Sequence, residues 1–188
     1  MDIRDALLNR RSIRKFEQKR IPEKDLEMLI DYARIAATGA NLQPLKFVLV
    51  EREELLGQVF SCTKWAGYLP EAAPQPGEEP MAYIAILTDR SIKENAETEA
   101  GAAIMSMMLG AMDFGLGSCW LGAIDRKKLL SLFKLSGEEY TLNYLLALGY
   151  PAQKSEITDY AGDVRYFMGE NQTVRVPKRS LEDVLIRR

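Results

Sequence analysis

Apolar positions recur along this chain with two different periods. Leu26, Leu29, Ile30, Ala33 and Ala37 fall at helical spacing behind Pro22, Glu23 and Asp25, residues suited to a helix's first turn and its positive end. This predicts a helix from about Ile21 to near Thr38-Gly39. KFVLVE (46–51) and MAYIAIL (81–87) are aliphatic, aromatic or β-branched at strand length. The second is apolar at both parities, which predicts a strand buried on both faces. Further helices are expected at 2–9, at about 52–60 and at 95–114, the last packed with Ala, Gly and Met of the size that allows close helix–helix approach. GLGSCWLGAI (115–124) reads as a turn into a strand, and Asp125 as the N-cap of a helix over 126–134. TLNYLLALG (141–149) is another buried strand, closed by Tyr150-Pro151. Residues 67–80 form a Pro- and Gly-rich loop, and 152–177 read as polar and irregular before a basic ending, KRSLEDVLIRR.

Composition narrows the picture. A chain of 188 residues, 47% hydrophobic and 28% charged, fits one domain with an ordinary core. A net charge of −2 gives no general reason to bind nucleic acid. No apolar run approaches the ~18 residues of a membrane span, and the opening MDIRDALLNRRS lacks the apolar region of a signal peptide. Two cysteines far apart, Cys62 and Cys119, fit free thiols in a reducing cytoplasm. The chain has no histidine. Imidazole acid–base chemistry, Ser-His and Cys-His catalysis and histidine metal sites are therefore excluded.

Three stretches carry candidate chemistry. RRSIRKF (10–16) concentrates Arg10, Arg11, Arg14 and Lys15 around Ser12. Guanidinium forks match phosphate oxygens two at a time, and a serine adds a hydroxyl donor. The plainer alternative is a solvated turn whose cations favour the C-terminus of the first helix. TGANLQP (38–44) offers Asn41 and Gln43, whose amides suit the edge of a heterocycle, though a helix cap and turn need no more. In GLGSCWLGAI, Gly115, Gly117 and Gly122 permit close approach of backbone to a ligand, but the spacing is not that of a dinucleotide fingerprint.

Taken in order, RRSIRKF, ANLQP, GLGSCWLGAI, LALGYP and KRSLEDV resemble the nitroreductase-family flavoproteins over nearly the whole chain. The resemblance implies one FMN-binding domain over 1–188, an α+β fold with a central mixed, mostly antiparallel sheet flanked by helices, and an intertwined homodimer. It implies FMN at the subunit interface, with Arg10, Arg11, Ser12 and Arg14 on its phosphate and ring edge. Lys178 and Arg179 would complete the phosphate site, and the backbone of Leu121, Gly122, Ala123 and Ile124 would lie against the ring. Gly39, Asn41 and Gln43 would come from the partner subunit. The chain departs from the family at Thr38-Gly39, where Ser-Ser is common, and at Leu45, where Trp is common. The activity implied is ping-pong transfer of reducing equivalents from NAD(P)H to a small oxidant such as a nitroaromatic or quinone. Related members dehalogenate reductively, fragment flavin or oxidise azolines, and a non-catalytic FMN-binding module is the rival of another class. Residues 65–80 and 152–170, with Tyr160, Tyr166 and Phe167, are where substrate-gating elements would be sought; the plainer and favoured alternative is ordinary packing of those aromatics under a loop.

Overall fold

The strand expected at 81–87 is the centre of the molecule. The structure is a computed structural model that describes residues 2–188. In it β3 (Ala82–Asp89) runs antiparallel between β2 (Leu45–Val50) and β5 (Tyr140–Pro151). β4 (Gly117–Leu121) and β1 (Phe16–Glu17) also pair antiparallel with β5, completing a five-stranded sheet. A parallel bridge between Ser12 and Ser118 adds one more segment to it.

The parity of β3 explains why both of its faces are apolar. Ala82, Ile84 and Ile86 belong to a core that α2 (Glu23–Arg34) and α4 (Glu97–Asp113) cover through Leu26, Leu29, Ile104 and Met107. Tyr83, Ala85 and Leu87 belong to a second core, closed by Val59 of α3 (Glu53–Phe60) and Leu129 of α5 (Arg126–Leu132). Each fully buried aliphatic side chain contributes about 1.5–3 kcal/mol, so the two cores together fix the sheet. The short α1 (Ile3–Asn9), whose N-terminus Asp2 caps, lies against α4. The close packing expected of α4 falls against α2 of the same chain, where a Cβ on Gly110 would lie 2.4 Å from the Tyr32 ring. The fold is α+β, with helices flanking an antiparallel-rich sheet.

Two boundaries differ from the sequence expectation. α2 stops at Arg34, about a turn early, because Ala33 is its last buried position; Ile35 and Ala37 face solvent and hold nothing. β5 runs through Tyr150 to Pro151 instead of stopping before them, because these two residues pair with Glu17 and Phe16. The stretch 152–177, expected to be irregular, contains a second sheet of β6 (Ser155–Asp159), β8 (Val174–Lys178) and β7 (Phe167–Met168), with β6 parallel to β8. Its strands are short and half-buried or exposed, with Val174 alone fully buried, so they carry little hydrophobic period; the inward residues pack on Ala66, Leu69 and Ala72. The last helix, α6 (Leu181–Val184), starts in a capping box between Ser180 and Asp183. Among the described residues no helix is long and apolar enough to cross a membrane.

Candidate functional site

The Arg10–Lys15 segment is sewn into the fold by its backbone. α1 ends where the Arg10 N–H donates to the Ala6 carbonyl at 2.9 Å. The chain then extends: the Ile13 N–H donates to the Ser118 carbonyl at 2.9 Å, the Arg14 N–H to Gln153 Oε1 at 3.2 Å, and the Ala152 N–H to the Lys15 carbonyl at 2.9 Å. The apolar residues between the cations lock it down. Ile13 occupies the space over Gly117, where a Cβ would fall 2.9 Å from its own, and Phe16 covers Gly149 at 2.7 Å. Gly117 is thus small for Ile13, not for a ligand. Gly115, at φ +69°, ends α4 in a Schellman turn: the Leu116 N–H donates to the Ala111 carbonyl and the Gly115 N–H to the Met112 carbonyl.

The side chains of this segment separate. Ser12, bridged to Ser118, lies beside the buried Cys119, and the Arg14 guanidinium stacks 4.5 Å over the Tyr166 ring. Arg11 and Ile13 instead line a different cleft, of about 370 Å³, with Met112 and Leu116, and Arg11 donates to the Leu8 carbonyl. Lys15 is held by Glu78 at 3.0 Å. Arg10, Arg11 and Arg14 are half-buried, and among the described residues no carboxylate forms an ion pair with them. Burial pushes the Arg10 guanidinium below its usual range; burial and then Arg10 do the same to Arg11. Partly desolvated cations without a counter-charge favour an anionic ligand. This is not the solvated turn that the charge pattern alone allows.

Gly39, Asn41 and Gln43 lie elsewhere, on an exposed turn after α2. Ala40, Asn41 and Gln43 all take left-handed conformations, at φ 49°, 56° and 50°. Each costs on the order of 1–2 kcal/mol for a residue with a Cβ. The turn is tied internally by the Gln43 N–H to Thr38 Oγ1 at 3.2 Å and the Asn41 N–H to the Thr38 carbonyl at 3.0 Å. Its residues are exposed, and the Gln43 amide donates to the Asn41 carbonyl of the same turn at 3.3 Å.

Leu121 ends β4 buried, while Gly122 and Ala123 are exposed beyond it. An antiparallel bridge from Thr63 to Ile124, and the Lys64 N–H to the Ala123 carbonyl at 2.9 Å, fix this turn above a cleft of about 510 Å³ that Lys64 and Arg126 share. Lys178 ends β8, and the Arg179 guanidinium stacks 4.5 Å over Tyr160.

The fold therefore brings Arg10, Ser12 and Arg14 to one end of β4 and Leu121–Ile124 to the other. It ties Arg179 and Arg14 to the same small sheet through Tyr160 and Tyr166. It does not bring Asn41 or Gln43 to either group. The two segments considered for substrate gating are one unit, since Tyr68 packs on Tyr166 at 5.5 Å between ring centres. Gln153 went unrecognised in the sequence: one amide 139 residues from its partner Arg14 leaves no local signal.

Comparison with known proteins agrees with this architecture. The family model described as "Nitroreductase family" matches residues 7–150. A protein of Archaeoglobus fulgidus provisionally named NADH dehydrogenase/NAD(P)H nitroreductase is 28% identical over 167 residues, covering 85% of this chain and 90% of that protein. The iodotyrosine deiodinase of Thermotoga neapolitana is 24% identical over 163 residues, covering 78% of this chain and 87% of that enzyme. The crystal structure of a Desulfovibrio desulfuricans nitroreductase-type protein in complex with FMN shares the fold at a TM-score of 0.74 and 21% identity, over 100% of this chain and 97% of that one. With a family match across most of the chain and a shared fold end to end, this protein belongs to the nitroreductase family.

Proposed function

We propose that this chain is an FMN-dependent oxidoreductase that takes reducing equivalents from NAD(P)H and passes them to a small oxidant, acting as a homodimer of one FMN-binding unit per chain, 1–188. The observation that carries the reading is the half-buried set of Arg10, Ser12 and Arg14, cationic and free of carboxylate partners among the described residues, on the segment bridged to β4. A phosphomonoester fits that donor set. Each charge-assisted bond contributes about 1.5–3 kcal/mol.

Arg10, Ser12 and Arg14 would hold the phosphate with their side chains and Arg11 with its backbone, since its guanidinium faces the separate cleft. Arg179 and Lys178 would add positive charge from the end of β8. Beyond β4, Gly122 and Ala123 present exposed backbone, and neither N–H donates to a backbone acceptor in the surrounding loops. Leu121 and Ile124 flank them as apolar support for a flat ring. When bound, FMN supplies the hydride- and electron-transfer chemistry, which is consistent with a chain that has no histidine. The protein's part is position and electrostatics. Gly39, Asn41 and Gln43, which the fold presents outward, would serve the partner's site. The exposed apolar residues of the terminal segments, Ile3, Leu7 and Leu8 at one end and Leu181, Val184 and Ile186 at the other, support a partner surface of the same chain.

The test is direct. Saturating FMN should bind with an oxidised-flavin spectrum and raise Tm as mass action requires. Anaerobic NADH or NADPH should then remove the visible absorption, and a nitroaromatic or quinone should restore it. Failure to bind FMN overturns the reading. A second reading, reductive dehalogenation, draws support from the Thermotoga relative; halide release from an iodinated phenol, with no turnover of nitroaromatics, would favour it.

A further inference from the structure

Glu99 is a buried carboxylate that the reading above leaves unused. It sits in the first turn of α4 with about 5% of its surface exposed. Its Oε1 pairs with the Lys93 ammonium, while its Oε2 is buried without a partner. Lys93, then the Glu99 and Gly39 amides, hold the carboxyl below the usual carboxylate range, against the burial that opposes ionisation. Gly39 lies directly on this pair: a Cβ there would fall 3.3 Å from Glu99 Oε1 and 4.0 Å from Lys93 Nζ.

Gly39 is also the entry to the left-handed turn. Residues 39–43 are all exposed, so packing from outside does not hold Ala40, Asn41 and Gln43 in conformations that residues with a Cβ disfavour. Such strain persists only where the surroundings over-determine it. Past the turn, the Asp89 N–H fixes the Pro44 carbonyl at 2.8 Å. On the entry side, the buried carboxylate is the anchor. The buried Glu99 carboxylate is costly to desolvate, and its bond to the part-exposed Lys93 is a poor way to gain stability alone; fixing a neighbouring backbone is a use that matches its position.

We infer that Glu99 is a positioning residue: with Lys93 it fixes the Gly39 backbone, so that the Thr38–Gln43 turn presents Asn41 and Gln43 to the partner's site. The inference rests on the reading that these two amides serve FMN bound by a second copy. The test uses the full-length protein, wild type and Glu99→Gln, with Gly39→Ala as a second variant that disturbs the contact from the turn's side. In the FMN-free protein, amide hydrogen exchange at residues 39–43 is expected to quicken in both variants while exchange in β3 is unchanged. FMN affinity is expected to fall about three- to tenfold, the effect of losing one hydrogen bond from a neutral amide. In an Asn41→Ala/Gln43→Ala background, Glu99→Gln should weaken FMN no further, a coupling that general destabilisation does not produce. Unchanged exchange at 39–43, or an equal loss of affinity in both backgrounds, overturns the inference. If Asn41→Ala/Gln43→Ala itself leaves FMN affinity unaltered, the shared-site reading fails instead, and the exchange result still decides whether Glu99 holds the turn.

Discussion

The Arg10–Phe16 segment and the Thr38–Gln43 turn are both short, polar and expected to touch the same ligand, yet the fold treats them oppositely. The first is half-buried, bridged to β4 and wedged by Ile13 and Phe16 into spaces that only glycine leaves open. The second is exposed, takes three left-handed residues and touches the interior mainly through Gly39 against Glu99. Under the proposed function, one would be a site made by its own chain and the other an element presented to a second copy. The proposed function thus assigns the first region to residues that a monomer organises and the second to residues that would act across a second copy.

The largest effect that would test this contrast comes from glycine. Gly117→Ala places a Cβ 2.9 Å from both Ile13 Cβ and Cγ2. Overpacking of that kind costs about 1–3 kcal/mol, a fall in Tm of about 2–12 °C for a chain of this size, with FMN affinity lost as the segment shifts. Gly39→Ala, facing a side-chain oxygen at 3.3 Å, should change Tm by only about 1–2 °C while still weakening FMN. Equal thermal losses at the two glycines, read by calorimetry, would erase the distinction.

Arg14→Ala comes next. Removing one charge-assisted contact should weaken FMN by about 10- to 150-fold. The FMN-free protein should lose only the stacking on Tyr166, about 0.5–1 kcal/mol. Isothermal titration and thermal melts separate the two quantities, and an FMN affinity equal to wild type would remove Arg14 from the site.

How far the two regions were legible in the sequence follows from the same physics. β3, β5 and α4 were readable because burial on defined faces writes a strong period: Ala82 to Leu87 alternate between two cores, and both cores demand apolar residues. The basic cluster was visible as composition, but its division was not. That Arg11 turns into another cleft while Arg14 stacks on Tyr166 depends on extended-chain alternation in a segment of no obvious type. The 155–178 sheet escaped notice because its strands are two to five residues long and, Val174 apart, half-buried or exposed, too short and too little buried to write a period. Gln153 and Glu99 were invisible for another reason: their roles are set by partners distant in sequence or by a single backbone contact, neither of which leaves a period.

A weaker but more pointed effect is complementation. If Arg14 serves its own chain's site and Asn41 its partner's, Arg14→Ala and Asn41→Ala chains mixed after unfolding and refolding should regain intact sites in the mixed dimers. Random pairing restores about a quarter of the sites. Recovery of FMN binding at wild-type affinity in that fraction would place the two regions on opposite subunits. No recovery would place them in one chain and break the comparison.

The smallest effect concerns Cys119, which lies beneath the first region beside Ser12 and near Arg14. Burial pushes this thiol up from its usual range, an effect that Arg14 and Ser12 only partly oppose. A group whose native pKa is raised stabilises the fold fully below its unfolded pKa and progressively less as pH rises toward the native value. Above about pH 8.5, where an unfolded thiol ionises, stability should therefore decline, and Cys119→Ala should decline less over the same interval. Alkylation gives the companion measurement: at pH 8 an iodoacetamide reagent should leave Cys119 unmodified in the FMN-free native protein and modify it once denaturant opens the core. Rapid modification under native conditions would mean that the Arg10–Phe16 segment lifts from β4 without its ligand, and the first region would then be no more self-sufficient than the second.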